Sequence, residues 1–161
     1  MRSFSVVAGQ PHTWPEMPAA ARVVTDFLAN LRLTGDAVAA RRLFADRVSA
    51  HQVVAETDET VVRRPEEYAD HVADMVAANG PFQIQVEELL VEGDHVYVRW
   101  HQQGWTDPNA GVDAARRPLR EAASAVYRVA EGRIQEYWIQ IDRLGALRQL
   151  TDSTTSPQEK K

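Results

Sequence analysis

Apolar residues recur along the first half of the chain at the spacing of an α-helix. Residues three or four apart lie on the same side of a helix, so this pattern predicts amphipathic helices. We predict three of them, with a short strand between the second and third and a polar loop over 56–60. The predicted bounds are 18–33 and 36–44 for the first two helices, 46–54 for the strand and 65–79 for the third helix.

After Pro81 the period changes to two, which is typical of strands with one buried face. Four long strands are predicted, separated by turns at Glu92-Gly93-Asp94 and Glu131-Gly132 and by a loop over 104–117. Leucines at helical spacing then predict a last helix, for which Asp142 is the expected N-cap. The predicted strands run over 82–91, 94–103, 118–129 and 133–141.

Helices followed by consecutive antiparallel strands predict an α+β fold. We expect a cone-shaped barrel made by a strongly bent antiparallel sheet packed against the N-terminal helices, with an internal pocket. Residues 18–150 form the single predicted domain. Residues 1–17 are predicted to be an N-terminal arm, either docked through Trp14 or loose. The polar stretch 151–161 is predicted to be a disordered tail.

Composition narrows the function classes. The chain has 161 residues, a net charge of −5 and no cysteine. An acidic chain is a poor partner for nucleic acid, and no apolar run is long enough to span a membrane. The N-terminus lacks the features of a signal peptide, so we expect a cytoplasmic protein. Without cysteine there is no disulfide, thiolate metal site or cysteine nucleophile.

The sequence lacks the usual motifs for cofactors and metals. It has no HxH or HExxH spacing for a metal, no phosphate-binding GxxxxGK, no GxGxxG and no GxSxG. His95 and His101 stand six apart, too far to share one ion without a third ligand. We therefore predict neither a metal nor a cofactor.

Strand alternation divides the side chains between two faces of the sheet. Tyr137, Ile139 and Ile141 share one face of the last strand, whereas Glu136, Trp138 and Gln140 share the other. On the strand from 94, Trp100 and Gln102 lie opposite Tyr97 and His101. Trp138 and Tyr97 give one face a mixed aromatic and polar character, which predicts a homodimer or larger oligomer.

Four stretches carry a resemblance to a known family: RRPEEYADHVADMV, VEGDHVYVRW, VYRVAEGRI and EYWIQIDRLGALRQL. Across roughly residues 20–150 the chain resembles the SnoaL-like polyketide cyclases (ester cyclases), within the nuclear transport factor 2-like fold group. The resemblance implies a cavity lined by Trp100, Gln102, Ala125, Tyr137 and Ile139. The same fold group contains enzymes and non-catalytic binders, so function must be argued from the site.

The chain departs from the family at two positions. Aldol cyclases of the family carry an acid at the position of Ile139 and a histidine at the position of Ala125. Isoleucine and alanine cannot transfer a proton. The remaining catalytic candidates are His51, which the family match places in the pocket, and Asp142 at its mouth. His101 and Glu136 are candidates as a carboxylate–imidazole pair formed by a curled sheet. Each also has a structural interpretation: a structural histidine with its hydrogen bonds satisfied for His51, a helix cap for Asp142, and surface or dimer contacts for His101 and Glu136.

Two functions follow. The first is a cofactor-independent cyclase, isomerase or hydrolase acting on an apolar polyketide- or terpenoid-like molecule in secondary metabolism. The second is a non-catalytic small-molecule-binding or assembly protein with the same fold. We favour the enzyme, with Trp100, Gln102, Tyr127, Tyr137 and Ile139 as substrate-binding residues. The aromatic members of that set, Trp100, Tyr127 and Tyr137, are more often core residues than a platform for a ligand.

Overall fold

The computed structural model describes residues 3–106 and 116–152. Within these ranges the chain forms four α-helices, one π-helical turn and seven strands. The elements in chain order are β1 (Phe4–Val6), α1 (Ala19–Phe27) with the π-helical turn Leu28–Arg32, α2 (Ala37–Leu43), β2 (Phe44–Gln52), β3 (Glu59–Arg63), α3 (Pro65–Asn79), β4 (Gln83–Glu92), β5 (His95–Trp105), β6 (Pro118–Ala130), β7 (Arg133–Ile141) and α4 (Arg143–Thr151).

All seven strands belong to one open sheet in the order β1-β4-β5-β6-β7-β2-β3. Every neighbouring pair is antiparallel except β2 and β7, which run parallel. Register shifts occur between Val86 and Glu88 on β4 and opposite Arg128 and Val129 on β6. Such bulges increase the local twist and bend of a strand, which helps the sheet to curve around the helices.

The core lies between the sheet and helices α1, α2 and α3. The largest fully buried side chains come from both layers: Trp100, Phe27, Phe44, Leu28, Leu31 and Ile134. This is the α+β cone with N-terminal helices that the sequence predicts. We call the helix-packed side of the sheet the inner face and the opposite side the outer face.

The sequence analysis missed two short strands. The stretch 56–60 was predicted as a loop, but β3 begins at Glu59 and pairs antiparallel with β2. The segment predicted as an arm supplies β1, which pairs with β4 through Phe4, Ser5 and Val6. Phe4 is buried and stacks on His12 with ring centroids 4.0 Å apart, so residues 3–17 are docked rather than loose. The predicted tail lies outside the described residues from 153 onward.

The π-helical turn at the end of α1 places Arg32 inside the protein. A π-helical turn widens the helix, so it changes which side chains face the core. Leu28, Ala29, Leu31 and Arg32 are all buried in this turn. Among the described helices, none is long and apolar enough to cross a membrane.

Candidate functional site

The inner face carries the five residues predicted to bind substrate. Trp100, Gln102, Tyr127, Tyr137 and Ile139 are all buried. In the β5–β6–β7 register, Tyr127 lies opposite both Val96 and Tyr137, and Ile139 lies opposite Ala125. The bulge on β7 precedes Glu136, so the predicted alternation of Tyr137 and Ile139 is unaffected.

An inner cavity of about 150 Å³ opens between α3 and the strands β6 and β7. A cavity of this volume holds a single aromatic ring. Its lining combines aromatic, aliphatic and charged side chains: Arg32, Gln52, Arg63, Tyr68, His71, Met75, Glu121, Tyr127, Tyr137, Ile139 and Ile141.

Three tyrosines form the aromatic wall of the inner cavity. The ring centroids of Tyr127 and Tyr137 lie 5.8 Å apart, and those of Tyr68 and Tyr137 lie 6.2 Å apart, edge to face. Burial, aided by the neighbouring Tyr68, raises the pKa of both Tyr127 and Tyr137. Both phenols therefore stay protonated and can donate hydrogen bonds to a ligand.

Arg32 brings a buried positive charge to this wall. Its Nη2 donates a hydrogen bond of 3.1 Å to Oε1 of Gln102, and its guanidinium carbon lies 6.0 Å from the centroid of the Trp100 ring. Burial opposes the charge, but nearby Tyr68 and Tyr127 outweigh it and raise the pKa of Arg32. The guanidinium is therefore charged inside the protein.

Two titratable groups flank the mouth of the inner cavity, His71 on α3 and Glu121 on β6. His71 is exposed on its solvent side, while its contact with the protein removes part of its hydration. This desolvation and the positive charges of Arg63 and Arg32 lower the pKa of His71. The imidazole is therefore predominantly neutral at neutral pH and able to accept a proton.

The structure places His51 on the outer face, so the prediction that it lines the pocket is wrong. Its neighbours Ala50 and Gln52 face inward, and a strand side chain between two inward residues must face outward. Nε2 of His51 lies 2.7 Å from Oε1 of Glu136, and Nδ1 lies 2.8 Å from Oγ1 of Thr60. The imidazole also stacks on Trp138 at a centroid distance of 5.0 Å.

The predicted His101–Glu136 pair does not form. His101 lies opposite Ala122 on β6, whereas Glu136 lies opposite Arg128, six residues further along that strand. At about 3.3 Å per residue the two are roughly 20 Å apart along β6. Nδ1 of His101 lies 3.4 Å from Oε1 of Glu87 instead, and Glu136 pairs with His51 and Arg128.

Asp142 has the structural role that its position predicts. It is the N-cap of α4, and its Oδ1 accepts a hydrogen bond of 2.9 Å from the backbone N–H of Gly145. It does not line the inner cavity. None of the four predicted catalytic residues reaches this cavity. Whether any of them takes part in a reaction stays a prediction.

The sequence analysis missed three residues of the inner cavity, Arg32, His71 and Glu121. Two of them had a usable signal: Glu121 shares the inward parity of Ala123, Ala125 and Tyr127, and His71 lies at helical spacing from Tyr68 and Met75. Arg32 had none, because its inward position depends on the π-helical turn.

A broader groove of about 540 Å³ lies along β1, β4 and the start of β6, with His101 and Arg120 among its lining residues. Its other lining residues combine apolar side chains with one serine and three glutamines: Ser5, Val6, Val7, Ala8, Leu33, Phe82, Gln83, Ile84, Gln85 and Gln103. The inner cavity is the better candidate site because its buried charge and neutral phenols surround one enclosed volume. Among the described residues, no three His, Cys, Asp or Glu side chains cluster closely enough to hold a metal ion.

Comparison with known proteins identifies the family of this chain. A family model for SnoaL-like polyketide cyclases matches residues 22–150. A search of curated proteins finds no match. Among solved structures, a candidate polyketide cyclase from Acidithiobacillus ferrooxidans is 20% identical with a TM-score of 0.74, covering 88% of this chain and 100% of that one. IdmH, a candidate polyketide cyclase from Streptomyces antibioticus, is 23% identical with a TM-score of 0.69, covering 82% and 98%. TsrD from Streptomyces laurentii is 20% identical with a TM-score of 0.63, covering 84% and 98%.

Proposed function

Because the chain belongs to the SnoaL-like polyketide cyclase family, we propose that it is a cofactor-independent enzyme that transfers protons on a small molecule bound in the inner cavity. Cyclase, isomerase and hydrolase reactions share this requirement for positioned acid–base groups. The observation that carries the proposal is that a neutral imidazole, His71, and a carboxyl side chain, Glu121, line the same cavity as Arg32.

The roles follow from the chemistry of each group. His71 accepts a proton from carbon next to a carbonyl, because its lowered pKa keeps the imidazole neutral at neutral pH. The imidazolium that forms then returns a proton to the enolate carbon or to the developing alkoxide oxygen, and the negative charge of Glu121 stabilises the imidazolium between the two transfers. His71 and Glu121 replace the acid and histidine that the aldol cyclases carry where this chain has Ile139 and Ala125.

Cavity size constrains the substrate. About 150 Å³ accommodates one ring, so a polyketide- or terpenoid-like molecule would insert its reacting end and leave the remainder at the mouth. Tyr127, Tyr137 and Ile139 supply the contacts to that end. We also propose that the protein acts on such a molecule in secondary metabolism.

The test is proton exchange on a planar ketone, 1-indanone, followed by NMR in D₂O as loss of the α-proton signal. We expect the protein to accelerate exchange over buffer, and Glu121→Gln or His71→Gln to slow it by roughly 100-fold or more. The rate should fall as pH drops through a value below 6.5, the ordinary pKa of histidine, and this acid limb should vanish in His71→Gln. Glu87→Gln and His95→Gln, which change the same residue types on the outer face, serve as controls.

The competing function is a non-catalytic binder with the same fold. Its supporting observation is the apolar Ile139 at the family's acid position. Exchange at the buffer rate, together with saturation transfer from the protein to 1-indanone, would favour this binder over the enzyme.

A homodimer or larger oligomer remains part of the proposal. Its support is the outer face, where Trp138 stacks between the rings of His51 and His95 and remains partly exposed beside Tyr97. Trp138→Arg should shift the sedimentation coefficient toward that of the monomer, whereas Val38→Arg on the exposed side of α2 should not. A wild-type species of 18.0 kDa alone at micromolar concentration would contradict the oligomer.

A further inference from the structure

Three buried hydrogen-bond donors belong to Arg32, which lines the inner cavity, and to two side chains in contact with it. They are Nε of Arg32, Nε1 of Trp100 and Nε2 of Gln102, and none has a hydrogen-bond partner among the described residues. Arg32 connects them, because it bonds to Gln102 and lies over the Trp100 ring. Buried polar atoms are normally satisfied, so three adjacent exceptions require an explanation.

All three atoms are donors, and the orientation of Gln102 is fixed by Arg32. A guanidinium can only donate hydrogen bonds, so the Gln102 atom that faces it must be the oxygen. The amide N–H₂ group is therefore turned away from Arg32 and remains free to donate. A complementary ligand must present an acceptor with several lone pairs.

The charge of the cavity specifies the kind of acceptor. Two guanidinium groups, Arg32 and Arg63, face one carboxylate, Glu121, among the lining residues. Within the described part of the chain, no carboxylate oxygen lies within 4.0 Å of Arg32. A buried cation without a counterion is costly, and an anion supplied by the ligand removes that cost.

We propose that Arg32, held in place by Gln102 and Trp100, binds an anionic oxygen, the carboxylate or enolate of a planar small molecule seated in the inner cavity. Tyr127 and Tyr137 pack against the plane of that molecule. If the anion is an enolate formed by proton removal, the same guanidinium stabilises it as it forms. The inference rests on the proposed function only in taking the inner cavity as the substrate site.

Equilibrium binding tests the inference with benzoate and its neutral analogue benzamide, measured by titration calorimetry. We expect benzoate to bind roughly tenfold or more tightly than benzamide, because a hydrogen bond to a charged group is stronger than one to a neutral group. Arg32→Met should abolish this preference, while Arg64→Met, at an exposed position that does not line the cavity, should preserve it. Equal affinity for the two compounds, or no binding of either at millimolar concentration, would overturn the proposal.

The stabilisation caused by benzoate separates a binding role of Arg32 from a structural one. Arg32→Met leaves the buried Oε1 of Gln102 without its donor, so a lower melting temperature is expected from either role. Benzoate should raise the melting temperature of the wild type more than benzamide does, and Arg32→Met should lose this difference; an equal difference in both proteins would contradict the inference. Arg32→Gln removes the charge but keeps a side chain that can donate to Gln102, and should abolish the preference for benzoate even if Arg32→Met fails to fold.

A second ligand distinguishes a carboxylate site from an enolate site. 4-Nitrophenol changes its visible absorption when it ionises, so binding as the anion is directly observable. Uptake of the anion supports the enolate form, and a preference for benzoate without it supports the carboxylate form. Retained 1-indanone exchange without any preference for anions would reject this inference and keep the proposed function, whereas the reverse result would keep the anion site and reject catalysis.

Discussion

The two faces of the sheet differ in whether a charged side chain has a partner of opposite charge. On the outer face, Glu136 is held between His51 at 2.7 Å and Arg128 at 3.1 Å. On the inner face, Arg32 is more deeply buried but forms no ion pair with any described carboxylate. Water could compensate an unpaired charge on the outer face, whereas it is largely excluded from the inner one, so the unpaired group stands where the cost is greatest.

The contrast helps to separate structural from functional charge. The His51–Glu136 pair has the residue types of a catalytic dyad, and its geometry is good. Its remaining neighbours, Thr60, Trp138 and Arg128, complete a network that stabilises neighbouring strands β2, β3, β6 and β7. Arg32 bonds to Gln102 but has no comparable network of opposite charges, which makes the inner face the better place to look for function.

Ile139→Asp should produce the largest effect on stability. It places a carboxylate among buried aromatic side chains, and we expect a loss of about 2–4 kcal/mol in the free energy of unfolding, measured with urea. The neighbouring outer-face substitution Gln140→Asp should change it by no more than about 0.5 kcal/mol, because Gln140 is exposed. Equal effects of the two substitutions would mean that the inner and outer faces do not differ as described.

Asp142→Ala should have a smaller effect on stability, because the carboxylate of Asp142 bonds to the backbone of a single helix, α4. Loss of an N-cap costs about 1 kcal/mol, and Asp142→Asn should retain most of the stability because it keeps the accepting oxygen. No residue of α4 is buried, so the loss should appear as faster amide exchange within that helix. Unchanged exchange in Asp142→Ala would show that other contacts, such as the bonds between Gln149 and Arg120, hold α4 without the cap.

Sequence reasoning predicted the inner face better than it predicted the pairing of charges. Period-two alternation grouped Trp100 with Gln102 and Tyr137 with Ile139, because alternation is a local property of each strand. The family resemblance assigned both groups to the inner face, where the structure has them. It failed for His51, whose face had been taken from the family match although it has the opposite parity to Ala50. Short edge strands such as β1 and β3 were missed because three to five residues carry too little periodic signal.

The contacts that decide the site depend on long-range geometry. Glu136 finds His51 because β2 lies parallel to β7, a pairing between residues 85 apart in sequence. Arg32 reaches Gln102 across 70 residues, and only after the π-helical turn has directed it inward. Neither contact leaves a local pattern in the sequence. The sequence analysis therefore paired Glu136 with a histidine, as the structure does, but selected His101 instead of His51.

Glu136→Gln tests the outer network by its dependence on pH. Hydrogen bonding from His51, followed by Arg128, lowers the pKa of Glu136 below its ordinary value of 4.5. A depressed pKa in the folded state contributes stability that is present above the unfolded-state pKa and is lost as pH falls through the folded-state value. We therefore expect the wild type to exceed Glu136→Gln in free energy of unfolding by about 0.5–1 kcal/mol at neutral pH, as for a partly exposed ion pair. The gap should close as the pH falls below 4.5. A gap that stayed constant down the acid range would show that Glu136 contributes through its shape and not its charge, and the distinction between paired outer charges and unpaired inner ones would then lose its main example.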